Sequence, residues 1–281
     1  MYWLFLELVS FQDNSLRHSG SVGFSKRDSA LSTERCILFS LAHPDDESFL
    51  GAGITCKYQA QGVHVVLATA TLGEAGKTGD PPVCKQEDLP KVREAELLAA
   101  SKVLGITKVH LLGHRDQQLA RVPPETIRRQ LVQIIRQHKP QIVITFDPNG
   151  ANLHTDHIAI SRFTNDALAA ANDPRWFPDT GPAHQVSRVL WPTPMLFWEA
   201  LRAGSLTDQP GIDFVVDIRL WSERKAEALR THRSQHLSID RIFFNSPDLE
   251  LLLSKELFRQ GCGPSLPSRP SDDLFTGIDL S

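Results

Sequence analysis

No two cysteines in this 281-residue chain are spaced as C-x-x-C; Cys36, Cys56, Cys84 and Cys262 stand far apart. That excludes the cysteine-based zinc modules and thioredoxin-type redox motifs read from such pairs. Scattered thiols suit a reducing compartment, so a cytoplasmic location is expected, and Cys36 and Cys56, set in apolar runs, are expected to be small core residues. A basic excess is also missing. With 30 Lys and Arg against 33 Asp and Glu, the formal net charge is −3, without the positive footprint of a nucleic-acid binder. No apolar run approaches the roughly 20 residues of a membrane span. "MYWLFLELVSF" is short and interrupted by Glu7, and no basic segment precedes it as in a cleaved leader. A peripheral membrane contact through residues 2–9 stays open. Neither G-x-G-x-x-G after the first strand nor G-x-x-x-x-G-K-[ST] occurs, which weakens a nucleotide-binding reading.

What is present is a regular alternation that begins at residue 35. Residues 1–34 are polar and Ser-rich after the first eleven and are read as a loosely ordered extension. "CILFSLA" (36–42) reads as a buried strand, 48–62 as a helix stopped by Gly62, and 63–71 as a second strand. After a polar loop come a helix over 91–105, a strand over 108–113, an amphipathic helix over 124–139 and a strand over 141–147. Strands alternating with helices of this length predict βαβ units, a parallel sheet and an α/β, Rossmann-like three-layer fold. Further along, strands are expected over 187–193 and 212–218, and helices over 219–235 and 246–261, the last with Ser246 as its N-cap. The segment 194–204 is ambiguous. With no internal repeat or long linker, 35–261 is read as a single domain and the Pro- and Ser-rich 262–281 as a tail over the surface.

Ligands in open α/β sheets bind beyond the carboxyl ends of the strands, and the chemical residues gather there. His43, Asp45, Asp46 and Glu47 follow the first strand, Glu74 the second, Asp116 the third and Asp147 the fourth. Zinc accepts imidazole nitrogen and carboxylate oxygen and, in catalytic sites, keeps a position for water. His43 and Asp46 suit ligation while Asp45 faces that open position as a general base; a solvated loop with a helix cap is the plain alternative. A second cluster favours chemistry. His154 and His157 stand three residues apart at a helical start, with Asp156 between them, so both imidazoles share one side. One suits ligation and the other a position toward the substrate. Glu47 is expected either to support the His-Asp loop or to cap the helix. His64, His110, His114, His138 and His184 are expected to be structural or exposed.

"AHPDDE" (42–47), "TLGEAG" (71–76), "REAELLAASKVLG" (93–105), "DPNGANLHTDH" (147–157) and "THRSQ" (231–235) together resemble the signature blocks of the LmbE-like, PIG-L-type de-N-acetylases. The resemblance implies a zinc-dependent enzyme, with another divalent ion as an option, that removes the acetyl group from an N-acetylglucosamine-containing substrate. It assigns the metal to His43, Asp46 and His157, the general base to Asp45, and oxyanion stabilisation or amine protonation to His154. It gives Arg93 and Asp116 to the sugar, places Asp156 behind a histidine or at the helix cap, and raises a site-lining role for His232. The second block departs from the family's usual Gly-His-Pro-Asp-His: Leu153 precedes His154 and Thr155 replaces the proline, while a tyrosine found in some relatives would fall near Asn152. The implied partner is a small N-acetylated amino sugar; its aglycone and the oligomeric state are not written in the residues. A related thiol-conjugate amidase and a non-catalytic sugar- or nucleotide-binding module are the competing readings.

Overall fold

The computed structural model describes residues 34–193 and 211–280. Most of the N-terminal extension, the 2–9 segment and the ambiguous 194–204 lie outside the described residues. Seven strands form one sheet in the order β3-β2-β1-β4-β5-β7-β6. They are β1 (Cys36–Leu41), β2 (His64–Thr71), β3 (Lys108–His114), β4 (Ile142–Ile144), β5 (Arg188–Pro192), β6 (Phe214–Asp217) and β7 (Lys255–Cys262). The first five pair in parallel and β7 lies antiparallel between β5 and β6. This is the expected α/β, mostly parallel sheet.

Helices α1 (Asp46–Ala60), α2 (Leu89–Leu104), α3 (Pro124–His138), the single-turn α4 (Gly150–Leu153), α5 (Thr155–Asn172) and α6 (Ser222–Thr231) connect and cover the strands. The strands of the sheet centre are apolar on both faces, as a sheet buried between helices requires: all six residues of β1 are buried, as are seven of the eight in β2. Because β2 lies on one side of β1 and β4 on the other, the chain order reverses between β1 and β4. That switch point opens the crevice in which such sheets bind ligands. The loops leaving β1 and β4 both end there.

Two expectations are corrected. Residues 246–261 are not one helix: only Leu249–Ser254 (α7) is helical, Asp248 rather than Ser246 stands at its N-cap, and the chain then extends as β7. Non-local pairing decides this. β7 fills the slot between β5 and β6, and its Glu256 receives N–H bonds from Gly53 and Ile54 of α1 and the Lys225 ammonium of α6, all at 2.8–2.9 Å. The tail is also more than a surface covering: Leu274 and Phe275 are buried in the main core, and Ser271 bridges to Phe214 of β6. No described helix is long and apolar enough to cross a membrane.

Candidate active site

The chain leaves β1 into a turn that sets His43 to Glu47 at the crevice. Asp45 adopts φ 111°, ψ −31°, a backbone state that costs a non-glycine residue about 1–3 kcal/mol and persists only where surroundings impose it. Asp46 opens α1, and its Oδ2 accepts the backbone N–H groups of His43 at 2.8 Å and Ala42 at 3.1 Å, so its carboxylate is locked against the turn.

The second half comes from the loop after β4. Gly150 has φ +66°, and a Cβ there would sit 2.8 Å from both His157 Cβ and the Ile158 nitrogen; only glycine lets this loop close against α5. Leu153 is also left-handed, φ 64°, and is 73% exposed. His154 then caps α5, its Nδ1 accepting the Asp156 N–H at 3.2 Å. With that nitrogen engaged as acceptor, Nε2 of the neutral ring carries the proton. Capping α5 leaves the His154 Nε2–H free to face the site.

Three donors converge. His43 Nδ1 lies 3.2 Å from His157 Nε2. Asp46 reaches both, with Oδ2 3.8 Å from His43 Nδ1 and Oδ1 3.5 Å from His157 Nε2. A four-coordinate ion with bonds of about 2.0–2.2 Å holds its donors roughly 3.3–3.6 Å apart, so the spacing fits. The far side of each ring fixes its tautomer. His157 Nδ1 donates to the Gly150 carbonyl at 3.1 Å, leaving Nε2 as a bare lone pair. His43 Nε2 sits 3.1 Å from Asp116 Oδ1 and 3.5 Å from Asp156 Oδ2, between the two carboxylates rather than aligned on either, which keeps the proton on that side and turns Nδ1 inward. The two inward nitrogens, 3.2 Å apart, need a positive charge between them: a proton on His43 Nδ1 donated to His157 Nε2, or a cation in its place.

The electrostatics agree. Burial alone would lower the His43 pKa, but Asp116, Asp156 and Asp46 raise it to about 10. Burial and then the neighbouring His43 lower His157 to about 3. The pocket therefore attracts one positive charge and refuses two. His154 adds a third imidazole, its ring 4.8 Å from His43 and 4.7 Å from His157, and the three histidines form a donor group able to hold a metal ion.

Asp45 faces this cluster and remains partly open, its side chain 16% exposed. Burial raises its pKa to about 6, against the lowering effect of Arg93. Arg93 reaches from α2, its guanidinium 3.2 Å from Asp45 Oδ2 and bonded to the carbonyls of Pro44 and Gly73. Gly73 is needed for that reach, since a Cβ there would lie 2.0 Å from the guanidinium. Asp116 accepts the Ala75 N–H at 3.0 Å, and the effect of His43 outweighs burial to hold its pKa at about 2. Arg93, 4% exposed, and Asp116, 8% exposed, thus spend most of their bonding capacity on the protein itself.

Asp156 does not cap α5. It is fully buried and receives the N–H groups of Gln117 at 2.6 Å and Leu119 at 3.2 Å, tying the loop after β3 to His43. Glu47 accepts the Asp45 N–H at 3.0 Å, the Ser48 hydroxyl at 2.6 Å and His232 Nε2 at 2.7 Å. Glu74 accepts the Asp116 N–H at 3.0 Å. Away from the cluster, His110 pairs with His138, His114 with Gln130, and His184 with the Pro140 carbonyl. Sequence reasoning missed Arg259, which lies 2.6 Å from Asp147 and so braces the loop that carries His154. It sits in the segment read as a helix, and no local signal links two residues that distant.

Residues 38–168 match the family described as PIG-L: GlcNAc-PI de-N-acetylase. A 1D-myo-inositol 2-acetamido-2-deoxy-alpha-D-glucopyranoside deacetylase of Streptomyces scabiei is 31% identical, over 86% of this chain and 89% of its own length. The chain belongs to the PIG-L de-N-acetylase family. The corresponding deacetylase of Geodermatophilus obscurus is 32% identical over 88% of this chain and 99% of its own. Among solved structures, N,N'-diacetylchitobiose deacetylase from Pyrococcus horikoshii superposes with a TM-score of 0.63 at 22% identity, covering 82% of this chain and 85% of that one. The 4-carboxy-2-hydroxymuconate hydratase GalB from Pseudomonas putida shares the fold with a TM-score of 0.61 at 15% identity, covering 82% of this chain and 98% of that one. The PIG-L fold thus hosts more than deacetylation, and the reaction has to be argued from the site.

Proposed function

We propose that this PIG-L family member is a zinc-dependent hydrolase that removes the acetyl group from an N-acetylglucosamine-containing substrate. The observation that carries the reading is the inward-facing pair of imidazole nitrogens with Asp46 beside them and Asp45 at the open side. His43, Asp46 and His157 would hold the ion; mixed imidazole and carboxylate donors favour zinc among intracellular divalent metals without excluding others. When bound, such an ion polarises a carbonyl oxygen and lowers the pKa of water toward ~7.

Asp45 is the general base. Its carboxylate takes a proton from the attacking water, whose oxygen adds to the acetamide carbon. Arg93 steers that carboxylate and keeps it ionised. The Nε2–H of His154 donates to the oxygen on which negative charge develops, a contact worth more in the transition state than in the ground state. Asp45 then returns its proton to the nitrogen as the C–N bond breaks, releasing acetate and the free amine. Asp116 and Arg93, which line the base side of the crevice, are assigned to the sugar as well as to their protein partners. The Streptomyces scabiei and Geodermatophilus obscurus relatives are named as deacetylases of an N-acetylglucosaminyl inositol, and that class is the first substrate to try. Acetate release from a panel of N-acetylglucosaminides tests the proposal: the native chain is expected to turn over at least one member, and a panel without any release contradicts it.

A further inference from the structure

The base in this site stands on a turn that its own residue type disfavours. Asp45 has φ 111°, and a side chain in that region is retained only if neighbouring bonds over-determine it. Arg93 supplies part of the restraint, through the Pro44 carbonyl and the Asp45 carboxylate. The other part runs through the Asp45 amide. That N–H donates to Glu47 Oε2 at 3.0 Å, and Glu47 Oε1 in turn accepts His232 Nε2 at 2.7 Å and the Ser48 hydroxyl at 2.6 Å. His232 comes from just beyond the C-terminus of α6, 185 positions along the chain from Glu47. His232 and Ser48 are 0% exposed and Glu47 is 1% exposed.

We propose that Glu47 and His232 form a buried pair that sets the backbone of the general base, with His232 a positioning residue acting on Asp45 through Glu47. The inference rests on the reading of Asp45 as the base. Two features support it. A buried polar pair is a poor choice for stability alone, since well-packed apolar residues serve a buried site at least as well. The same Glu47 carboxylate is shared between the Asp45 amide on one oxygen and His232 with Ser48 on the other, so His232 fixes the acceptor that the Asp45 N–H meets. The side-chain hydrogen bonds of the pair run to the Asp45 amide and the Ser48 hydroxyl, not to the imidazoles of His43 or His157.

The test compares Glu47→Gln and His232→Gln with the native chain in the full-length, metal-loaded protein. It reads kcat per bound metal, KM, metal content and hydrogen exchange at the Asp45 amide. Glu47→Gln keeps size but cannot accept from both partners. It is expected to lower kcat about tenfold to a hundredfold, leave KM and metal content unchanged, and speed exchange at Asp45. His232→Gln retains a neutral donor at the same reach and is expected to show a smaller change in the same direction. Native kcat in both variants with unchanged Asp45 exchange overturns the proposal, and so does loss of metal from Glu47→Gln. If the native chain deacetylates nothing, the functional reading fails by itself, and amide exchange alone then decides whether the pair holds the turn.

Discussion

At the scale of single residues, the roles separate by what each change should remove. Asp45→Asn leaves the three donors untouched, so metal content is expected to persist while turnover drops by about 10²–10⁴-fold, the range of a lost general base. His157→Ala removes one of the inward-facing nitrogens, so metal analysis is expected to show loss of the ion together with activity. Arg93 has a subtler signature. Asp45 must be deprotonated to act, so activity rises with pH through its pKa, which burial places at about 6 against the pull of Arg93; a bound cation can only lower it. Arg93→Gln removes that pull, so the acidic limb of the pH–rate profile is expected to move to higher pH. An unmoved limb would show that Arg93 does not govern the base. These residues were legible because their types are rare at strand ends: His43-Pro44-Asp45-Asp46 and the His154/His157 pair stand out from any helix cap. What sequence could not show was orientation. Arg93 and Asp116 carry chemistry of the right kind, but their bonds to Pro44, Gly73, Ala75 and His43 reach 20 to 73 positions along the chain and leave no local mark.

At the scale of elements, legibility follows locality. The helices over 46–60, 89–104 and 124–138 appear within a few residues of where apolar rhythm and glycine stops put them. The reading failed at Leu249–Cys262, where "LELLLSKELFRQGC" suits a helix throughout, yet half of it is drawn into the sheet by β5 and β6. Glu256 is the hinge of that rearrangement, since it joins β7 to the middle of α1, just past the kink at Gly51, and to Lys225. Replacing Glu256 with Ala leaves a buried ammonium and two amides unpaired, and denaturant unfolding is expected to show a loss of about 3–5 kcal/mol. The loop of α4 carries the opposite signal. Leu153 occupies a left-handed conformation with its side chain 73% exposed, so Leu153→Gly is expected to raise stability by about 1 kcal/mol in the same assay through relief of backbone strain. A loss of stability would mean that the side chain has packing value the exposure does not reveal.

At the scale of the whole molecule, the sheet order places the two halves of the site together. The loops after β1 and β4 flank the reversal point, and the loop after β3 is drawn in through Asp116 and Asp156. The parallel sheet could be anticipated from alternating strands and helices. Strand order, the antiparallel insertion of β7 and the bracing of Asp147 by Arg259 could not, because they depend on which distant segments meet. Family membership, together with this geometry, narrows the chemistry to a metal-assisted attack on an amide. The most direct test is to strip the protein with a chelator, titrate zinc back, and follow bound metal and acetate release from an N-acetylglucosaminyl inositol substrate together. One ion per chain, with activity rising in proportion to occupancy and absent in the His43→Ala variant, is the result expected. Acetate release that is undiminished in the stripped protein, or stoichiometric zinc bound as well by His43→Ala as by the native chain, would contradict it.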